Sequence, residues 1–408
     1  MTAREYPVFT VTPKAERSLR AGHPWVYGEE VTAVEGAYQN GDMVDVVSNK
    51  GRYLGTGWVN DHSKIRVRII SRNANDTFDE GFFRRRVCYA LNYRKTVMGP
   101  VDYRCCRLIF GEADQFPGLT VDRFENILVT QVLSMGMERR KDWVYRALVE
   151  LLREDGEQID AIYERNDVTI RTLEGLEQGK GFYQMEGLRT DLSGHVTITE
   201  NGIKYDVDYM EGQKTGFFLD QKYNRQAAAK LARGRRVLDC FTHTGAFALN
   251  AAAAGAEHVT AVDVSAFALE LAAENGKRNG LTNLDYKCAD VFDLLTEMAK
   301  EKKCDYDYII LDPPAFTKSR ATAKNAYHGY KEINRKAMRL LPRGGYLATC
   351  SCSHFMTDEM FRKMLQEAAL DAGVTLRQIE ARQQAPDHPI LPGVPETDYL
   401  KFYLLQVV

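Results

Sequence analysis

The stretch RRVLDCFTHTGAFALNAAAAGAEHVTAVDVS, residues 235–265, decides the fold. Val237 and Leu238 make a short apolar run that ends at an acid, Asp239. A tight loop follows over 240–245, then an alanine-rich helix-forming run over 246–254, which Gly255 breaks. A second apolar run, 259–262, ends at another acid, Asp263. This is a βαβ unit whose second strand ends in a carboxylate about 20 residues beyond the first turn, the spacing that sets an acid against a ribose hydroxyl. A dinucleotide fingerprint would need the glycines of G-x-G-x-x-G, and only Gly245 is present. One glycine cradles no pyrophosphate, so the expected ligand is a nucleoside without phosphates, S-adenosylmethionine (SAM) first among them. An ordinary βαβ unit with helix-breaking glycines is the plain alternative.

Outward from this unit the α/β pattern continues. Upstream, a hairpin (196–199 and 203–208) leads into EGQKTGFFLDQKYNR and a helix over 221–232. Downstream, Ser265 can cap a helix through Arg278 that Asn279-Gly280 closes. Strands are predicted over 284–288, 306–311 and 346–350, with helices over 291–301 and 327–341 between them. Thr357 can cap a further helix ending at Gly373, and two strands, 376–381 and 399–408, close the chain. Strands alternating with helices predict a parallel, doubly wound sheet finished by a terminal hairpin, the plan of class I SAM-dependent methyltransferases.

Residues 1–72 read as all-β, with strands near 6–11, 43–48, 53–59 and 64–71 and one short helical turn over 16–21. In the last strand Lys64, Arg66 and Arg68 alternate with Ile65, Val67 and Ile69, and period two sets the cations on one face. A solvated sheet face is the plain alternative. GHPWVY followed by this small β unit resembles the start of a PUA domain, an RNA-binding pseudobarrel, and the resemblance favours RNA contact by the cations. Residues 73–196 change to α+β. A helix is predicted over 77–97, opening near Asp79-Glu80, then two strands around a turn at 123–126, a helix over 137–154 and a strand over 161–170. The basic runs Arg84–Arg86 and Arg139–Lys141 read as solvated charge. Three domains follow: 1–72, PUA-like; 73–196, central α+β; and 197–408, the catalytic α/β fold.

Composition bounds the rest. The chain has 408 residues, 44% hydrophobic and 27% charged, as in a water-soluble globular protein of several domains. A net charge of −2 advertises no nucleic-acid binding, so any basic surface is local. The eight cysteines include one adjacent pair (Cys105, Cys106) and one C-x-C (Cys350, Cys352), with no C-x-x-C. No metal is expected, and reduced thiols of the cytoplasm are the default. No apolar run approaches the roughly 18 residues of a membrane span, and the N-terminus has no signal-peptide core, so a cytoplasmic protein without membrane contact is expected.

Ligands of such sheets sit at the carboxyl ends of the strands, and those ends carry Asp239, Asp263, Asp290, Asp312 and the segment 350–353. Asp263 fits the ribose hydroxyls. Asp290 fits the adenine amine, with Val291 packing on the ring. Asp239 and the loop from Thr242 to Gly245 fit the methionine end. The turn LDPPAF, with Pro313, Pro314 and Phe316, resembles the Asp/Asn-Pro-Pro-aromatic turn of amine methyltransferases, but Ala315 holds the aromatic place. After the last parallel strand comes TCSCS. C5 of cytosine or uracil is too weak a nucleophile to attack SAM, and adding a thiolate to C6 makes it enamine-like, so that chemistry needs a cysteine beside the methyl donor.

GHPWVY, GEADQFPGLTVDRF, GQKTGFFLDQ, DCFTHTGAF, LDPPAF, SCS and DHP…YLK together resemble the bacterial large-subunit rRNA 5-cytosine methyltransferases. The resemblance spans nearly the whole chain and implies SAM as cofactor and large-subunit rRNA as partner. It implies Cys352 as nucleophile, Asp312 on the N3–N4 edge of the cytosine, and Pro313, Pro314 and Phe316 along the base. It also sets Lys214, Thr215 and Phe217 by the cofactor, and reads Cys350 as a strand residue. His354 departs from the small residue usual after SCS. The oligomeric state stays open, a homodimer included. Uracil-C5 methylation, amine methylation and a non-catalytic assembly factor are the alternatives.

Overall fold

The structure, a computed structural model, describes residues 5–301, 304–317 and 319–408, and the elements and absences given are those of the described residues. The chain divides into two compact units, Met1–Ile198 with Val207–Leu219 and Pro386–Thr397, and Thr199–Asp206 with Asp220–Ala385 and Asp398–Val408.

The first unit holds two sheets. β1 (Val8–Val11), α1 (Pro13–Arg20), β2 (Trp25–Tyr27), β3 (Val31–Glu35), β4 (Met43–Ser48), β5 (Tyr53–Val59) and β6 (Ile65–Ser71) build a six-stranded sheet of order β2-β6-β5-β4-β1-β3. Thr12 caps α1 by accepting from the Ala15 N–H at 3.3 Å, and Pro13 at the first helical position has no N–H to leave unpaired. Alternate residues Phe9, Val11, Val44, Val46 and Val67 fill its core.

α2 (Glu80–Val97) then opens on its Asp79 cap, whose carboxylate accepts from the Phe82 N–H at 2.9 Å. β7 (Cys105–Phe110), β8 (Leu119–Phe124), β9 (Ile127–Val132), α3 (Met135–Glu138), α4 (Lys141–Glu154), β10 (Ala161–Asn166) and β11 (Gly179–Phe182) complete a second sheet of order β11-β10-β9-β8-β7. The single helix expected over 137–154 is two, because Arg140 leaves helical geometry between them (φ −128°, ψ 1°). β7 and β11 are not predicted from the sequence. β11 reads GKGF and owes its extension to antiparallel pairing with β10 rather than to strand-forming residues. Gly136 lies against the Trp58 ring so closely that a Cβ would stand 1.9 Å from it, and only glycine fits there. A hairpin follows, β12 (His195–Glu200) and β13 (Ile203–Asp208).

The second unit is the α/β fold. α5 (Lys222–Ala229), β14 (Arg236–Cys240), α6 (Ala246–Ala253), β15 (His258–Asp263), α7 (Ala266–Arg278), β16 (Leu284–Cys288), α8 (Val291–Glu301), β17 (Tyr308–Leu311), α9 (Ala323–Leu340), β18 (Tyr346–Ser351), α10 (Asp358–Ala372), β19 (Leu376–Arg382) and β20 (Lys401–Val407) run in that order. The seven-stranded sheet has order β16-β15-β14-β17-β18-β20-β19. β14 to β18 pair in parallel, while β20 runs antiparallel to β18 and to β19. The inner parallel strands β14, β15, β17 and β18 are buried on both faces, as lying under two helical layers requires, whereas the edge strand β16 (LDYKC) is largely exposed. Leu238, Ile309, Leu311 and Leu347 pack with α8, α9 and α10 on one side, and Val237, Tyr308, Ile310, Ala348 and Cys350 with α5 and α6 on the other. Strand order reverses between β14 and β17, which opens the crevice at their carboxyl ends. No described helix is long and apolar enough to cross a membrane.

Candidate active site

Asp239 is the penultimate residue of β14 and is fully buried. Its Oδ2 accepts from Thr242 Oγ1 at 2.5 Å and from the Ala248 N–H of α6 at 2.9 Å. Its Oδ1 is buried with no hydrogen-bond partner. Burial pushes this carboxyl up to about 7, helped by the Asp312 charge. The loop beyond it is wound left-handed at Phe241 (φ 64°), His243 (φ 51°) and Gly245 (φ 84°), and the His243 N–H donates to Asp263 Oδ2 at 2.9 Å. Asp263, at the end of β15, also takes the Ser265 N–H on Oδ1 at 2.9 Å. Asp239 at the end of β14 and Asp263 at the end of β15 therefore meet at the loop that holds Thr242 and Gly245. An orphaned acid oxygen deep in that loop and a half-buried carboxylate beside it are the acceptors that an ammonium and a ribose diol require, so these residues fit SAM.

Asp290 Oδ1 caps α8, accepting from the Phe292 N–H at 2.8 Å and the Asp293 N–H at 3.1 Å. The surface expected of Val291 against an adenine is largely absent. It is the first residue of α8 and is 3% exposed, spent in the apolar core under that helix.

Asp312 follows β17. Its Oδ1 accepts from Gln221 Nε2 at 3.0 Å and it is bonded by the Cys350 thiol. Burial and then the Asp220 charge push its carboxyl up to about 6. Pro313 is buried and Pro314 exposed. The Phe316 ring lies 4.5 Å from that of Tyr330 and 5.8 Å from that of Phe292 and stays partly exposed, while Ala315 holds the aromatic place of the amine-type turn.

Cys350 is buried inside β18, and burial drives its thiol well above the ordinary range, as a strand residue should show. Cys352 lies just past the strand end and is partly exposed. Asp312 was expected beside the Cys352 thiol, and the thiol that bonds it is that of Cys350. Gln221, Tyr330 and Lys401 are site residues that the sequence reading misses. Tyr330 Oη and Ser353 Oγ hydrogen-bond at 2.9 Å, and Lys401 Nζ donates to the Ser353 carbonyl at 2.7 Å. Gln221 and Lys401 stand inside the motifs GQKTGFFLDQ and YLK, which is the signal that could have found them.

Three expected cofactor contacts belong to the first unit. Thr215 Oγ1 donates to Asp122 at 2.6 Å, a carboxylate already gripped by Arg107 at 2.7 and 2.8 Å, so its hydroxyl is engaged there. Lys214 Nζ stands 4.8 Å from the Phe218 ring centroid, and Phe217 is buried. In the same unit the cationic row of β6 does not survive as one face. Lys64 is exposed and Arg66 pairs with Asp61, but Arg68 is 9% exposed and bound to Glu174 at 2.6 Å. The alternation is real. What it could not foresee is the carboxylate, from far along the chain, that covers Arg68.

A PUA-like domain model matches residues 9–72, and an S-adenosylmethionine-dependent methyltransferase model matches residues 183–405. The ribosomal RNA large subunit methyltransferase I of Pseudoalteromonas atlantica is 40% identical over 401 residues, 98% of this chain and 99% of that protein. That of Shewanella denitrificans is 42% identical over 399 residues, 97% of this chain and 98% of that protein. A solved structure from Streptococcus mutans, assigned provisionally as a SAM-dependent methyltransferase, shares the fold at a TM-score of 0.81 and 22% identity, over 98% of this chain and 100% of that one. The chain therefore belongs to the ribosomal RNA large subunit methyltransferase I family, a SAM-dependent methyltransferase fold that follows a PUA-like domain.

Proposed function

We propose that the protein methylates C5 of a cytosine in large-subunit rRNA through a covalent bond from Cys352 to C6. The observation that carries this reading is a partly exposed cysteine just past β18, at the carboxyl end of the sheet where Asp239 and Asp263 close β14 and β15 and Asp312 follows β17. Asp263 would hold the ribose diol, Asp290 the adenine amine, and Asp239 with the Thr242–Gly245 loop the methionine end. Lys214 and Phe217 are carried by resemblance alone. Bound SAM supplies an electrophilic methyl group on a sulfonium.

The target base is flipped from its stack into the crevice, with Asp312 on its N3–N4 edge. A carboxyl pushed up to about 6 holds its proton more readily than an ordinary aspartate and can share it with N3. The Cys352 thiolate adds to C6 and the double-bond pair moves to C5. C5 takes the methyl while the donor's bonding pair stays on sulfur. A base then removes the C5 proton, the C5–H pair restores the double bond, and the thiolate leaves. Lys64, just before β6, and Arg66 within it are the cations proposed to meet RNA phosphate, and the three sequence segments 1–72, 73–196 and 197–408 are proposed as the functional domains.

RNA carrying 5-fluorocytidine at the target cannot lose its C5 substituent as a proton, so an adduct should accumulate and survive denaturing electrophoresis. Cys352→Ala should abolish adduct and methylation while SAM still binds, and Cys350→Ala should keep both. Methylation that survives Cys352→Ala removes the covalent mechanism. Mass mapping of rRNA nucleosides from cells with and without the protein identifies the base, and a uracil or an exocyclic amine found there overturns the cytosine assignment.

A further inference from the structure

Two cavities of the first unit, about 620 and 360 Å³, share Asp76, Arg86, Gln115 and Leu391 in their walls and so form one groove. α2 supplies one wall. Arg85, Tyr89 and Tyr93 recur along it every four residues, which sets them on one face of the helix with a rise of about 6 Å per step. Arg72, just past β6, carries the cationic lining into the smaller cavity.

Among the described residues, no carboxylate stands within ion-pair distance of Arg72, Arg85 or Arg86. Arg72 donates instead to the Gly22 carbonyl at 2.9 Å, and Arg86 to the Gln115 carbonyl at 2.9 Å. That takes one of the five N–H donors of the Arg86 guanidinium, and none of its unbonded nitrogens is buried. The same guanidinium lies 4.3 Å from the Phe82 ring centroid, and burial pulls it down to about 10. Carboxylates in the same walls are engaged elsewhere. Asp114 takes the Arg94 fork at 2.5 and 2.7 Å, and Glu112 takes the Trp25 indole N–H at 3.0 Å with Arg68 at 3.6 Å. Asp76 accepts from the Ser71 hydroxyl at 2.6 Å and the Asn73 amide at 3.1 Å. The run Arg84–Arg86, read from the sequence as solvated charge, thus divides. Arg84 is spent on Glu154 at 2.6 Å, and the next two line the groove.

Tyr89 is 64% exposed and, among the described residues, makes no hydrogen bond or ring contact. Tyr93 is held by its hydroxyl, which donates to the Pro386 carbonyl at 3.0 Å. Exposed aromatic rings beside arginines that lack counter-ions mark a contact surface. Flat rings suit bases and forked cations suit phosphates, a pairing that fits a single strand, since a duplex keeps its base faces stacked inside.

We propose that this groove binds an unpaired stretch of the RNA substrate, with a base stacked on Tyr89 and the phosphates beside it held by Arg72, Arg85 and Arg86. This inference rests on RNA being the substrate, and not on which base or atom is methylated.

The probe is a fluorescein-labelled, unstructured single strand of RNA of roughly 12 nucleotides, within the span that single-strand grooves accommodate. Its affinity is followed by fluorescence anisotropy at several salt concentrations. Tyr89→Ala removes a ring that touches nothing in the fold, so it should weaken binding about fivefold or more, the loss of one stacked base, and leave the salt slope unchanged. Arg72→Gln/Arg85→Gln, at two exposed positions, should flatten the slope by about 1.4, roughly 0.7 for each phosphate contact of a single strand. A duplex of the same sequence should bind the Tyr89→Ala and wild-type proteins alike. Wild-type affinity for the single strand in Tyr89→Ala overturns the proposal, and so does a wild-type slope in the double variant. Wild-type protein alone gives a further readout. RNA carrying 4-thiouridine should crosslink under ultraviolet light to the peptide that contains Tyr89, and crosslinks found only on peptides that line no part of the groove overturn the proposal as well. The two ideas fail separately. Groove variants that bind as wild type remove the groove and leave rRNA methylation standing. Unchanged rRNA nucleosides in cells that lack the protein remove the methylation and leave a groove that still binds RNA.

Discussion

Asp239 is a carboxyl removed from water with one oxygen unsatisfied, and its titration reports that cost. Its folded value of about 7 lies above the roughly 3.9 of an unfolded aspartate, so between these limits the folded state holds the extra proton. Stability from this group is whole below about pH 4 and is lost as pH rises through 7. Without SAM, the thermal midpoint should therefore fall between pH 5 and pH 8, and Asp239→Asn should remove most of that fall. An undiminished fall in the variant would show that other groups cause it. Asp263 carries the complementary prediction. Its carboxylate is already oriented by two backbone N–H groups, so Asp263→Ala should weaken SAM binding by roughly 1.5–3 kcal/mol, the worth of charge-assisted hydrogen bonds. Unchanged affinity in calorimetry would take Asp263 out of the site. These acids were legible in the sequence because each terminates an apolar run. Gln221, Tyr330 and Lys401 were not, since what each does depends on a partner some 20 to 90 residues away that only folding supplies.

β6 shows the same boundary for a whole element. Its period-two pattern was readable and its strand forms with Val67 and Ile69 inward. Yet the pattern cannot say what stands opposite the polar face. Glu174 reaches Arg68 at 2.6 Å, Ser63 at 2.5 Å and Asn60 at 2.9 Å, so one carboxylate from the turn after β10 fastens β6 and the turn before it. Removing one member of a buried pair strands the other, so Arg68→Met should cost about 3 kcal/mol or more in urea unfolding. Lys64→Ala, at an exposed position, should stay within about 0.5 kcal/mol of wild type. Equal stability for the two variants would mean that the Arg68–Glu174 contact does not hold the element. Helix ends were read more reliably than edge strands because their signals are local. Asp79, Ser265 and Thr357 each accept from a backbone N–H three residues on, whereas β11 has no signal apart from its neighbour.

At the scale of the whole molecule, a net charge of −2 gives no long-range pull on a polyanion, so affinity for RNA must come from a few cations acting within a Debye length of about 8 Å. Of the β6 row only Lys64 and Arg66 can serve, because Arg68 is committed inside its unit. Arg66 is paired with Asp61, but an ion pair this exposed is worth little and a phosphate can displace it. The double variant Lys64→Ala/Arg66→Ala should therefore bind large-subunit rRNA fragments more weakly and lower the slope of log affinity against log salt by up to about two units, one for each phosphate left unneutralised. Its SAM affinity should not change, since the acids that fit SAM belong to the other unit. The variants can be compared by fluorescence anisotropy between roughly 50 and 200 mM salt, the range over which phosphate-driven affinity changes steeply. A slope equal to wild type would assign β6 to folding alone, and the RNA-binding cations would then have to be sought on other elements.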